Sequence, residues 1–104
     1  MKRLESKEEY QILKQEEDTI FLFSAKWCPD CIVLDHFIDD LVEKYSQYNW
    51  IYIDRDEFLD LCQENDIYGI PSFVVYKNNQ VVGTFISKLR KTKQDIENFL
   101  DDLS

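Results

Sequence analysis

The sequence predicts an α/β fold, a mixed central β-sheet flanked by helices on both faces, formed by one domain over residues 1–104. Apolar residues fall alternately at helical spacing and in short runs rich in β-branched and aromatic side chains, in the order helix, strand, helix, strand, helix. The chain then closes on a hairpin and a last helix. A strand–helix–strand passage implies parallel strands joined by a right-handed crossover, whereas a hairpin adds antiparallel ones, so the sheet is mixed.

Ser6-Lys7-Glu8-Glu9 matches a capping box, and Tyr10 with Leu13 supplies a thin apolar stripe, predicting a first helix over Lys7 to Gln15. Leu4 is a weak signal for a short edge strand before it. Thr19-Ile20-Phe21-Leu22-Phe23 reads as a buried strand. Ile32 to Tyr45 has helical periodicity, with Leu34, Ile38, Leu41 and Tyr45 in line with Cys31 and a second set at Val33 and Phe37, which predicts burial against a sheet. Asn49 to Asp54 is the next strand, followed by a short helix near Glu57 to Glu64 that turns Phe58, Leu61 and Cys62 inward. Ser72 to Tyr76 and Val81 to Ile86 form the hairpin about a turn at Lys77-Asn78-Asn79-Gln80. The last helix starts at Thr92, where Asp95 completes a capping-box pattern, and its face is Ile96, Phe99, Leu100 and Leu103.

Between the first strand and the second helix lies Trp27-Cys28-Pro29-Asp30-Cys31. Two thiols separated by two residues fit the first turn of a helix, with Cys28 at its start and Cys31 one turn on, within disulfide reach. Unpaired N–H groups and the helix dipole favour a thiolate there, lowering a cysteine pKa from about 8.5 toward roughly 3.5–7.5.

A net charge of −9 argues against nucleic acid, which needs clustered Lys and Arg over phosphates, and against anionic membrane surfaces. Acidity otherwise reads as solubility. The first nine residues contain no apolar signal segment, and no apolar run approaches the ~20 residues that span a bilayer, so the expected location is cytoplasmic. There a close cysteine pair is more often catalytic or metal-binding than structural, and three cysteines exclude a disulfide framework.

Taken together, Trp27-Cys28-x-x-Cys31 after a buried strand, Gly69-Ile70-Pro71-Ser72-Phe73 opening a later strand, and the ββα ending resemble the thioredoxin family over essentially the whole chain. The middle pair, Pro29-Asp30, is not the Gly-Pro of typical members and is similar to a subgroup with narrower substrate choice. The resemblance implies a thioredoxin fold and protein dithiol–disulfide exchange. By position, Cys28 is the attacking thiol and Cys31 the resolving thiol. Ile70-Pro71 is the facing loop, with a cis peptide bond and a backbone edge for substrate, and Trp27 is a flat apolar wall. The implied cofactor is none beyond a redox-active Cys28–Cys31 disulfide. The implied partners are disulfide-containing proteins and a thioredoxin reductase or similar electron donor, and a monomer is expected. Two departures stand out. The buried Asp six residues before the first cysteine is Leu22 here, its usual lysine partner falls near Trp50, and the helix proline five residues after the second cysteine is His36.

Within that scheme the exchange runs by attack of the Cys28 thiolate on a substrate disulfide and resolution by Cys31. Asp30, in the first helical turn, either caps the helix or raises the Cys28 pKa. Asp35 lies four residues after Cys31, in the stripe Cys31-Leu34-Asp35-Ile38, and is a candidate proton acceptor for Cys31 in place of the missing strand acid; the alternative is a solvated acid at the stripe edge. His36 reads as a surface residue and Cys62 as a small core residue. Zinc would need about four ligands, and Cys62 with His36 offers no second half-site. The readings that follow are a general cytoplasmic disulfide reductase, a reductase with few substrates, and a redox-sensing binding module without turnover.

Overall fold

The computed structural model describes residues 1–103. In chain order its elements are β1 (Lys2–Arg3), α1 (Lys7–Glu16), β2 (Thr19–Ser24), α2 (Pro29–Asp35), α3 (Ile38–Lys44), β3 (Asn49–Asp54), α4 (Leu59–Glu64), β4 (Ser72–Lys77), β5 (Gln80–Phe85) and α5 (Lys93–Asp101). The strands form a five-stranded sheet in the order β1-β3-β2-β4-β5. β2 is central: it runs parallel to β3, with Leu22 opposite Tyr52, and antiparallel to β4, with Phe23 opposite Ser72. The edge strand expected near Leu4 is present, and the Leu4 N–H extends it to the Tyr52 carbonyl at 2.8 Å.

Alternation along the buried strands divides the core in two. Ile20, Leu22, Trp50, Phe73 and Val75 face α2, α3 and α5, meeting Leu34, Ile38, Leu41, Ile96 and Leu100. Phe21, Phe23, Ile51, Ile53, Val74 and Tyr76 face α1 and α4, meeting Tyr10, Leu61 and Cys62. Buried hydroxyls are paired here: Tyr10 and Tyr76 hydrogen-bond at 3.1 Å, and Asn65 Oδ1 accepts from Tyr10 at 3.2 Å. The β4–β5 hairpin turns on Asn78 and Asn79, with φ of 53° and 63°, the left-handed pair that a two-residue turn requires.

Three local features differ from expectation. The helix expected from Ile32 to Tyr45 is two helices, broken where the His36 and Phe37 N–H groups reach only three residues back, to Val33 and Leu34, and Phe37 leaves helical geometry at φ −133°. The apolar spacing runs through the break because Leu34, Ile38 and Leu41 all remain buried against the sheet, and the break needs no proline. α4 begins at Leu59 rather than near Glu57, because the Asp54 carboxylate accepts from the Asp56 and Glu57 N–H groups at 2.8 and 3.3 Å and holds them in a turn. At α1, Ser6 caps Glu9 N–H as expected, but Glu9 returns its carboxylate to the Glu5 N–H at 3.0 Å rather than to Ser6. The Thr92–Asp95 box at α5 is reciprocal.

Candidate active site: the dithiol at the start of α2

β2 ends at buried Ser24, buried Ala25 follows, and the chain turns out through exposed Lys26 and Trp27 before α2. Cys28 is the N-cap, extended at φ −79° and ψ 121°, so its sulfur takes the place of a capping oxygen and accepts the Cys31 N–H at 3.3 Å. Pro29 follows at the first helical position, where its missing N–H costs nothing. Across the site the Cys28 thiol donates to the Ile70 carbonyl at 3.8 Å. The Ile70–Pro71 peptide is cis, and Ile70 packs against Ala25, Cys28 and Cys31. Cys28 and Cys31 are free thiols, 6% and 1% exposed.

The Cys31 thiol is held above its ordinary value first by burial and then by the hydrogen bond with the Cys28 sulfur; the Ser24 hydroxyl and the Ala25 backbone work the other way. On this face of the sheet Leu22 and Trp50 are apolar and buried, 1% and 4% exposed, and the Trp50 indole donates to the Tyr45 carbonyl at 3.0 Å; Tyr52, on the same face, has its phenol raised chiefly by burial, with Cys31 and Asp35 acting on it through space.

Trp27 is exposed, 60% accessible, held by an indole N–H bond to Asp56 at 2.6 Å and by the Arg55 guanidinium 5.9 Å from its ring centroid. Asp30 is half-buried and paired with Arg90 at 2.8 Å. Asp35 is not inside the stripe with Cys31, Leu34 and Ile38: it is exposed while those three are buried. His36 is exposed, and Cys62 is buried, its thiol directed at the Arg55 carbonyl at 3.9 Å and pushed up by burial. Among the described residues, no group of three or more His, Cys, Asp or Glu side chains is placed to hold a metal, and no helix is long and apolar enough to cross a membrane.

Sequence reasoning passed over the segment between β5 and α5. Its Arg90 reaches Asp30, and its Lys91 is buried with its ammonium on the Ser87 and Leu89 carbonyls at 3.2 and 3.3 Å. The signal available was Lys88, Arg90 and Lys91, three cations in four residues of an acidic chain.

The thioredoxin family's sequence profile matches residues 2–102. Thioredoxin of Mus musculus is 34% identical over 88 residues, 82% of this chain and 84% of that protein. Thioredoxin of Ophiophagus hannah is 40% identical over 63 residues, 61% of this chain and 60% of that one. In three dimensions Plasmodium falciparum thioredoxin superposes with a TM-score of 0.88 at 23% identity, covering 100% of both chains, and mitochondrial thioredoxin 3 of Saccharomyces cerevisiae with 0.82 at 24%, covering 97% and 94%. These two establish the fold; the profile and the mouse protein establish the kinship. With its paired thiols at a helix start facing Ile70-Pro71, this chain belongs to the thioredoxin family and is a dithiol–disulfide oxidoreductase.

Proposed function

We propose that this oxidoreductase reduces disulfides in cytoplasmic proteins, with Cys28 as the attacking thiol and Cys31 as the resolving one. The observation that carries the assignment is the N-cap geometry. Cys28 Sγ already accepts the Cys31 N–H at 3.3 Å, so a Cys28 thiolate is met by an N–H donor and the positive end of α2, whereas Cys31 lies deeper. The Cys28 thiolate attacks a substrate disulfide; a Cys28–substrate bond forms and one substrate sulfur leaves as a thiolate. Cys31 then loses its proton and attacks Cys28, the mixed disulfide breaks, and the second substrate thiolate departs. Two electrons pass to the substrate, no cofactor beyond the dithiol is needed, and a thioredoxin reductase or similar donor of two electrons restores the pair.

Substrate backbone would lie along Ile70-Pro71, with Trp27 as the apolar wall and Pro29-Asp30 tuning the pair. Tyr68, two residues before Ile70, and Leu89, next to Arg90, are also exposed. Relatives include a mitochondrial thioredoxin of Schizosaccharomyces pombe; the cytoplasmic reading rests on cysteine usage, a close pair of free thiols in a chain whose three cysteines form no disulfide framework.

The test is turnover of a model protein disulfide with a reductant in excess. Wild type should turn over, Cys28→Ser should not, and Cys31→Ser should accumulate a mixed disulfide at Cys28. Full turnover by Cys28→Ser, or trapping at Cys31, would reverse the roles. Binding of substrate without turnover would favour the redox-sensing module.

A further inference from the structure

Among the described residues Lys91 is the one charged side chain that is buried, 3% exposed, and it has no ion-pair partner there. Burying an ammonium against two carbonyl oxygens alone is costly, and burial accordingly pushes its pKa down. The Phe85 ring, centred 5.2 Å from the nitrogen, offsets part of that cost. The segment carrying Lys91 is pinned to both sides of the dithiol. On the cis-proline side the Tyr68 hydroxyl donates to the Ile86 carbonyl at 3.0 Å, and Gly69 lies so close to the Ser87 and Lys88 backbone that a Cβ would collide with it. On the α2 side Arg90 holds Asp30 at 2.8 Å. Cys31, Asp30 and Cys28 act on Lys91 through space and each favours its charged form, and Asp30 already has Arg90 as its counter-ion.

We propose that Lys91 is a positioning residue for the resolving step, its ammonium supplying the positive field in which the buried Cys31 ionises, in a site whose sheet carries Leu22 and Trp50 instead of an acid and a base. This rests on Cys31 being the resolving thiol. In the step, Cys31 gives its proton to solvent, its sulfur electron pair forms the bond to Cys28 Sγ, and the bond from Cys28 to the substrate sulfur breaks. The substrate thiolate leaves and takes a proton from solvent. Lys91 gives and takes none: it lowers the energy of the anion while that anion exists. The buried charge is thereby explained, because its partner is a thiolate present only during turnover.

The experiment is the reaction of the reduced protein with excess 5,5′-dithiobis(2-nitrobenzoate) in a stopped flow. A concentration-dependent phase reports attack by Cys28, and a first-order phase releasing the second thionitrobenzoate reports attack by Cys31. Lys91→Met should slow the first-order phase about tenfold near pH 7 and move its pH profile upward by about one unit, as expected for one desolvated charge removed. The concentration-dependent phase should change less. An unchanged first-order phase, or equal slowing of both phases without a shifted profile, overturns the proposal. A second variant guards against a structural failure of the first: Lys91→Arg keeps the charge and should hold the first-order phase within about threefold of wild type with its pH profile in place. Slowing by Lys91→Arg equal to that by Lys91→Met overturns the proposal equally. A wild-type protein with no first-order phase would instead defeat the assignment of Cys31.

Discussion

Arg90 Nε donates to Asp30 Oδ1 at 2.8 Å, joining residues 60 apart in sequence and fastening the segment before α5 to the first turn of α2. Asp30 therefore does not confront the dithiol as an unbalanced negative charge. As a partly exposed ion pair its contribution to stability is small, about 0–1 kcal/mol. Arg90→Ala should release the charge and slow Cys28 attack about twofold to fourfold, the kinetic size of such a pair. In an Asp30→Asn background the same change should have no effect on that rate. Additive effects in the double-mutant cycle would refute the coupling.

Gly69 is required by contact rather than by a left-handed conformation. A Cβ there would meet the Ser87 carbonyl and lie 2.9 Å from the Lys88 Cα, both backbone atoms that cannot rotate aside. Gly69→Ala should destabilise the protein by about 1–3 kcal/mol, the usual cost of overpacking. Urea unfolding checks this, and a midpoint equal to wild type would show that the two segments are free to separate.

The Cys31 thiol sits above the ordinary value, chiefly through burial. A group whose folded pKa exceeds its unfolded one contributes stability that is complete below the unfolded value, about pH 8.5 for a thiol, and is lost as pH rises through the folded value. The dithiol protein should therefore lose stability progressively above about pH 8.5. Tyr10, Tyr45, Tyr52 and Cys62 are raised too and act with the same sign, so the contrast is with Cys31→Ser. Under reductant the variant should show a shallower alkaline decline; parallel stability–pH curves would remove Cys31 as a cause.

Asp35 is exposed on α2 while Cys31 is buried. Asp35→Asn should leave the first-order release of thionitrobenzoate within about twofold of wild type, since a solvated charge is well screened. A loss of tenfold or more would restore Asp35 as the proton acceptor for Cys31.

The sheet and its two covering layers were legible because each buried strand is a short β-rich run and each helix has an apolar stripe. The dithiol and Ile70-Pro71 were legible because local motifs carry them. The break at His36–Phe37 was not, since Leu34, Ile38 and Leu41 stay in phase across it. Asp35 stayed open between a proton acceptor and a solvated acid for a related reason: spacing of four from Cys31 puts a residue near the stripe without saying on which side of its edge it falls. Lys91 was invisible because no periodic pattern marks a lysine buried between elements. Its burial depends on Tyr68, Gly69 and Arg90 meeting the same segment from different parts of the chain.

The antiparallel register that puts Phe23 opposite Ser72 makes β2 and β4 the seam between two halves of the chain. The thiols come from the first half, while Pro71, Arg90 and Lys91 come from the second. A nascent chain that has formed only β1 through α4 holds its cysteines with nothing across from them. The apparatus that opposes and supports those sulfurs arrives only when β4 docks. Thiol reactivity during refolding is thus a clock for closure of that seam, running on a chemical signal native to the protein.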